Sequence, residues 1–403
     1  MKYTIALILL FNLHLQAQDT TTLRIDITQA KPMNVSEVFD SIHYIKLKFP
    51  EGCKNQNILG RVRITKNYFL TYDLSLKILF IFNRQGDFVN KIDRLPKETM
   101  NVNDFNSLAT FDVDFDSDLI YFGYQEEQTG RNAFYISCLD IHGKEIYKKK
   151  GFDNPPLKQY FIQKLAATTF LTSASCALKE INEKPTEPYF QIFNFKEGIT
   201  NKFLTIGRDP SYKFITEYMS SRGKETYWSK PFLYNAVKFS SKGKPSVLKF
   251  MFPAQVCIPD NLPLSDDYLK NFQIAMDYAN SNKGVLFEIS PVFQIEKWVF
   301  FSAGVFSSTG FRSHFLYSQK TGAIVDLKQV KPDKLCKSAP FMSYGIIGVD
   351  DQYAYTSIPS VVLNQNATPQ SNFVSPNATS VTIGAPSNDN GVYLLQLKIR
   401  SDF

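Results

Sequence analysis

The sequence predicts an all-β protein, a six-bladed β-propeller of four-stranded antiparallel blades with one inserted amphipathic helix. The abundant aromatic residues, 35 Phe and 21 Tyr, fall in short runs that are typical of strands. A unit made of an apolar strand, a polar turn with glycine and a second strand recurs along the chain. Repetition at this period indicates a propeller or a solenoid. Strand-like pieces at both chain ends could close a ring, and we therefore predict the propeller.

The glycine turns define the blades. They are centred on Gly86, Gly143, Gly198, Gly243 and Gly322, at intervals of 57, 55, 45 and 79 residues. Glycine suits such a turn because it adopts positive φ without a steric cost. A pattern of strand, polar turn and aromatic strand precedes the first two hairpins, at 61–73 and 111–124. Joined to the hairpin that follows it, each pattern gives one blade of four strands.

The sixth blade is predicted from the strand-like pieces that remain. These are "YGIIGVDDQYAYTSI" and "GVYLLQLKIR" toward the C-terminus and "TLRIDIT" toward the N-terminus. We expect strands from both chain ends to combine in this blade, since closure removes exposed strand edges that would invite aggregation. Residues 18–403 would then form one domain.

Two insertions interrupt the pattern. Ser265 is a typical N-cap, and it precedes an amphipathic helix predicted from Asp266 to Asn282, which Gly284 ends. We expect this helix to pack on the side or the face of the propeller. The second insertion, residues 364–390, is rich in Asn, Ser, Thr and Pro and is predicted to be a mobile loop in the last blade.

The N-terminus predicts export. Lys2 precedes a short apolar run from Ile5 to Phe11, and the small residue Ala17 follows, which is the pattern of a signal peptide over residues 1–17. No cysteine follows the apolar run, so we expect no lipid anchor there. No other long apolar segment exists, so no membrane span is predicted. We therefore expect a protein of the periplasm, the cell surface or the extracellular space.

The charge, the cysteines and the missing motifs argue against nucleic-acid binding, zinc binding and several classes of enzyme. The formal net charge of +7 arises from 45 basic and 38 acidic residues spread along the chain, which does not favour nucleic-acid binding. The 5 cysteines lie far apart without zinc-binding spacing. The motifs HExxH, GxSxG, GxxxxGK[ST] and GxGxxG are also absent from the sequence. We predict no catalytic residue, no cofactor and no metal site.

The stretch "FDVDFDSDLIYF" carries Asp112, Asp114, Asp116 and Asp118 at alternate positions. A calcium loop counted from Asp112 fails, because Ser117 and Gly123 stand where glycine and glutamate are needed. Asp112 and Asp114 point to one side of an inner strand, where we expect channel water to solvate them. We interpret the stretch as a blade strand and its turn, with a channel ligand or metal site as the alternative.

Several motifs resemble one known group of proteins. They are "VFDSIHYIKLK", "KILFIFNRQGDFVNKI", "FDVDFDSDLIYF", "LKFMFPAQVCIPDNLP" and "NDNGVYLLQLKI". Together they resemble the exported six-bladed β-propellers (TolB-like, NHL-like) of Gram-negative cell envelopes. The resemblance implies a fold and a compartment, and most members lack an assigned activity. The chain departs from the family at "DRLPKETMNVNDF", where members often carry a Gly-Pro-Gly-Glu-Tyr-like turn, and it lacks the anchoring cysteine of many members.

The candidate ligand-binding residues are polar groups expected near the propeller axis. They are Arg61 and Arg63 in blade one, Asp112 and Asp114 in blade two, Arg312 in "SSTGFRSH", and Tyr344 in blade six. Both signs of charge suit a hydroxyl-rich ligand or a zwitterionic peptide better than a bare anion. The alternative is that these groups satisfy only one another and channel water. We favour a non-enzymatic binding or scaffold protein for a glycan, a peptide or an envelope protein. A propeller hydrolase acting on glycosides is the alternative.

Overall fold

The computed structural model describes most of the chain between residues 20 and 403. The described residues are 20–51, 53, 62–73, 76, 78–93, 111–128, 131–153, 159–174, 188–205, 219–222, 225–229, 234–240, 245–259, 262, 268–282, 284–307, 310–336, 339–342, 345–360, 362–363 and 391–403. The predicted signal peptide (1–17) and the predicted mobile loop (364–390) lie outside these ranges, as do the candidate residues Arg61 and Tyr344.

The described strands form six sheets around an axis, each with four antiparallel strands, which confirms the predicted propeller. Blade one contains β3 (Val62–Ile64), β4 (Tyr68–Asp73), β5 (Ile78–Asn83) and β6 (Phe88–Ile92). Blade two contains β7 (Phe111–Val113), β8 (Ile120–Gln128), β9 (Arg131–Leu139) and β10 (Glu145–Asp153). Blade three contains β11 (Gln159–Ala166), β12 (Thr169–Ala174), β13 (Pro188–Asn194) and β14 (Gly198–Thr205).

The remaining blades use both ends of the chain. Blade four contains β15 (Met219–Arg222), β16 (Glu225–Ser229), β17 (Asn235–Ser240) and β18 (Ser246–Met251), with β1 (Thr20–Arg24) added at its outer edge. Blade five contains β19 (Leu286–Ile295), β20 (Trp298–Ser307), β21 (Gly310–Ser318) and β22 (Ile324–Asp326). Blade six contains β23 (Gly348–Val349), β24 (Ala354–Pro359), β25 (Val392–Ile399) and β2 (Phe39–Leu47).

Closure by both chain ends is confirmed, but the N-terminal strand that we expected to close the last blade was the wrong one. The "TLRIDIT" segment forms β1, which pairs in parallel with β18 of blade four. The closing strand is β2, antiparallel to β25. The physical reason is the burial of Leu23 and Ile25, which join the apolar cluster between blades four and five. The chain then crosses beside blade five and reaches blade six.

Helices are few among the described residues. The predicted inserted helix is present, and its described part runs over Tyr268–Ser281; a short helix, Val35–Val38, precedes β2. Ala279 packs with Val285 and Phe287 at the start of blade five. No helix in the described ranges is both long and apolar enough to cross a membrane.

The inner strands β3, β7, β11, β15, β19 and β23 stand first in their sheets, beside the axis. Because each blade is a meander, the turn after its inner strand and its glycine turn lie at the same face of the propeller. Arg84 of a glycine turn donates to the carbonyl of Thr65 in such an inner turn at 3.0 Å, which shows this proximity in blade one. We call this face the turn face.

Candidate functional site

An axial cavity of about 460 Å³ opens at the turn face. Four blades line it: residues 113–117 of blade two, 164–167 of blade three, Glu225 of blade four and 349–351 of blade six. These residues end an inner strand, lie in the adjoining turn or, in the case of Glu225, begin the second strand, so the regular geometry of the blades brings them together. The cavity is within the size range of small-ligand sites.

The charged side chains of the lining are mainly acidic. The acidic residues are Asp114, Asp116, Glu225, Asp350 and Asp351, and Lys164 is the only basic residue in the described lining. Carboxylate oxygens only accept hydrogen bonds when ionised, whereas lysine only donates them. The described lining therefore presents many acceptors and one strong donor to the cavity.

Ion pairs hold three of the carboxylates in place. Lys164 Nζ binds Asp114 Oδ2, and Lys238 Nζ lies 2.7 Å from Glu225 Oε1. Asp350 Oδ2 accepts hydrogen bonds from Arg84 at 3.0 Å and from the Tyr355 hydroxyl at 2.5 Å. Each pair fixes the orientation of a carboxylate at the cavity wall. Less side-chain entropy is then lost when a ligand binds to that carboxylate.

The turn after β7 explains the run of aspartates. Asp114 Oδ1 accepts the backbone N–H groups of Asp116 at 3.0 Å and Ser117 at 3.2 Å, as aspartate commonly does in turns. Asp118 has a left-handed φ of 57° and accepts from the Asn67 side chain of blade one at 2.6 Å. The stretch is thus a strand and its turn. In the described part of the chain, no group of three or more His, Cys, Asp or Glu residues could hold a metal ion.

Asp112 does not face channel water, and the expectation that it is solvated was wrong. Its carboxylate is buried, at 2% exposure, and its Oδ2 accepts the Gln163 side-chain amide at 2.8 Å and the Lys164 N–H at 2.9 Å. Burial raises the pKa of Asp112 to about 6, against the opposing attraction of Arg63. Asp112 thus joins the inner strands of blades two and three beneath the cavity.

Arg63 lies at the corresponding position of blade one. Its guanidinium carbon is 5.7 Å from the centre of the Phe111 ring. Burial lowers the pKa of Arg63, and the nearby carboxylate of Asp112 opposes this shift. Its Nε is buried and has no hydrogen-bond partner among the described residues. Arg63 and Asp112 are therefore brought together, but neither is part of the described cavity lining.

Arg312 lies elsewhere, in blade five. Gly304 pairs with Glu288 on one side and with Arg312 on the other, and Arg312 donates to Glu288 Oε1 at 2.5 Å. Arg312 also donates to the Ser290 carbonyl at 3.3 Å. These contacts hold two strands of one blade together. Arg312 is not brought to the described lining of the axial cavity, whereas Asp114 is.

Five charged lining residues were not among the predicted ligand-binding candidates: Asp116, Lys164, Glu225, Asp350 and Asp351. A signal for Asp350 was present, because "VD" at Val349-Asp350 repeats the "VD" at Val113-Asp114 at the end of an inner strand. The N–H of each aspartate bonds across its turn, to Leu119 and Tyr353 respectively. Lys164 lies in an alternating strand without such a marker.

Comparisons with known proteins agree with the fold. The DUF5128 family, described as a 6-bladed beta-propeller, matches residues 15–163. No curated protein matches the chain. A candidate exported protein of Bacteroides fragilis NCTC 9343 is similar in structure, with a TM-score of 0.61 and 16% identity over 94% of this chain and 100% of that chain. A member of the DUF4221 family from Bacteroides vulgatus has a TM-score of 0.45 and 11% identity over 90% of this chain and 98% of its own.

The similarity to known proteins lies in the fold. The Bacteroides fragilis protein shares the fold across nearly all of both chains. The family match covers blades one and two and reaches blade three. Fold alone does not determine function, which depends on the residues of a site.

Proposed function

We propose that the protein is an exported, non-enzymatic binding protein whose axial cavity receives a polar ligand: a glycan, a peptide or part of an envelope protein. The observation that carries this proposal is the axial cavity, to which four blades contribute and three of whose carboxylates are held by ion pairs. A lining rich in acceptors suits a ligand with several O–H or N–H donors. Export rests on the N-terminal sequence pattern, and the resemblance to TolB-like and NHL-like envelope propellers supports the same compartment.

A binding screen tests the proposal. Ligands that bind the folded protein raise its melting temperature, so a panel of glycans and capped peptides can be screened by thermal shift. For any ligand found, substitution of Asp116 and Asp351 by Asn should weaken binding about tenfold or more, since each substitution replaces a carboxylate acceptor. The matched control is Asp93→Asn, because Asp93 is exposed in blade one and lies outside the cavity lining. Unchanged affinity in the double variant would contradict binding in the cavity.

The alternative is a hydrolase acting on glycosides. Such enzymes use a pair of carboxyl groups, and several carboxylates line the cavity. Such an enzyme commonly needs an acid with a raised pKa that touches the substrate. Asp112 has the raised pKa, but it is buried between blades and is not in the described lining. Turnover of chromogenic glycosides that Asp114→Asn abolishes would favour the hydrolase over the binding protein.

A further inference from the structure

Arg63 is a charged donor that its described surroundings leave incompletely satisfied. It lies on the inner strand β3, and its Nε is buried without a hydrogen-bond partner among the described residues. A buried N–H that lacks an acceptor destabilises the folded protein, and more so when the group is charged. The residue as a whole is only partly buried, so part of the side chain remains open to solvent.

One oxygen of the neighbouring carboxylate is already engaged elsewhere. Asp112 Oδ2 accepts the Gln163 amide and the Lys164 N–H of blade three, at 2.8 and 2.9 Å. Arg63 is attracted to Asp112 through space and lies over the Phe111 ring. These contacts hold the guanidinium in position but leave its Nε without an acceptor among the residues that the structure describes.

The position of Arg63 relates it to the axial cavity. Val113, the residue after Asp112, lines the cavity, and so does Lys164, whose N–H binds Asp112. Arg63 therefore lies beside the layer of residues directly beneath the cavity. A ligand that fills the cavity and extends inward along the axis would approach this guanidinium.

We propose that Arg63 binds the carboxylate of a ligand whose donor groups occupy the axial cavity; this inference rests on the proposed function. A guanidinium matches a carboxylate because its planar N–H groups donate two parallel hydrogen bonds. The acidic lining of the axial cavity, next to Arg63, favours the O–H or N–H groups of the same ligand. The chemical class is an acid with many donors, from either of two sources: the C-terminus of a peptide or a uronic acid of a glycan.

The test compares acids with their neutral analogues. The probes are glycylglycine against glycylglycinamide, and glucuronate against glucose, measured by calorimetry at constant ionic strength. We expect the wild-type protein to bind at least one acid about tenfold more tightly than its neutral analogue. The pair that shows the preference identifies the source. No preference in either pair would overturn the inference.

Variants assign the preference to Arg63. Arg63→Met should reduce the ratio of acid to neutral affinity to about one, whereas Arg24→Met, at an exposed arginine of β1, should retain the wild-type ratio. Arg63→Lys keeps the charge and is the second variant if Arg63→Met does not fold; its ratio should also fall, because lysine lacks the planar fork. A wild-type ratio in a folded Arg63 variant would overturn the inference.

The proposed function and this inference can fail separately. If the acid preference depends on Arg63 but Asp116→Asn with Asp351→Asn leaves every affinity unchanged, the proposed cavity is wrong as the ligand site and only the carboxylate contact of Arg63 stands. If the double variant weakens the neutral and acidic probes equally and Arg63→Met has no effect, the cavity stands and the Arg63 inference is wrong.

Discussion

Single buried groups make the free energy of unfolding of this protein depend on pH in a way that can be tested. The pKa of Asp112 is raised to about 6 by burial, so the folded state retains a proton that the unfolded chain loses near pH 4. Asp112 therefore lowers stability as the pH rises from about 4 to about 6. Relative to Asp112→Asn, the wild type should gain on the order of 2 kcal/mol in free energy of unfolding as the pH falls through this window. Urea denaturation at several pH values measures the difference, and a constant difference would contradict the prediction.

His314 should act in the opposite direction. Burial, assisted by the positive charges of Lys328 and Arg312, lowers the pKa of His314 to about 4, and its Nδ1 lies 2.7 Å from the Ser302 hydroxyl. The unfolded chain binds a proton below about pH 6.5 and the folded protein does not, so His314 lowers stability as the pH falls from 6.5 to 4. His314→Gln should lose less stability over this range than the wild type, by roughly 2–3 kcal/mol. His142, which is exposed in a glycine turn, provides the control His142→Gln.

For single residues, the sequence predicted the position in a strand better than the burial of the side chain. The alternation of "FDVDFD" placed Asp112 and Asp114 on one side of an inner strand, and only Asp114 reaches the cavity. Asp112 is buried because blade three supplies Gln163 and Lys164 opposite it. That contact joins residues about 50 positions apart and depends on how two blades pack, which a local pattern does not encode.

The glycine turns permit a matched comparison at the scale of elements. Gly86 has φ +86°, and a Cβ there would lie 2.1 Å from the Lys46 carbonyl oxygen of the closing strand β2. Gly198 has φ +76°, and a Cβ there would meet nothing within 4 Å. Gly198→Ala should cost roughly 1–2 kcal/mol for the left-handed backbone alone. Gly86→Ala should cost clearly more, because blade one must also move away from β2.

Chemical denaturation of the two variants measures this difference. Equal losses of stability would mean that the contact between the Gly86 turn and β2 is not tight in solution. The glycine turns could be predicted from the sequence because a turn of this kind needs a residue that adopts positive φ. The identity of the closing strand could not, because β1 and β2 are both β-type segments and their placement depends on which apolar cluster buries Leu23 and Ile25.

The whole molecule is held by contacts between chain segments that are far apart. The guanidinium carbon of Arg84 in blade one lies over the rings of Phe69 and Tyr355, 4.5 and 5.2 Å from their centres, and Arg84 binds Asp350 of blade six. The β2 strand pairs with β25 along most of its length. The ring closes at the pairing of β2 with β25 and at the contacts of Arg84. We therefore expect a destabilising change at this closure to affect every blade and not only the first and the last.

Ile42→Ala tests whether the propeller unfolds as one unit. Ile42 is buried in β2, and its replacement by Ala should cost about 2–4 kcal/mol through lost burial and the cavity left behind. Trp228 reports on blade four and Trp298 on blade five, and both are buried. In single-tryptophan versions made with Trp→Phe, both transitions should shift to lower urea concentration by the same amount. Trp298 belongs to the same apolar cluster as Ile42, whereas Trp228 does not. A shift at Trp298 alone would therefore mean that the blades form separable units, because a cooperative ring transmits the loss to blade four as well.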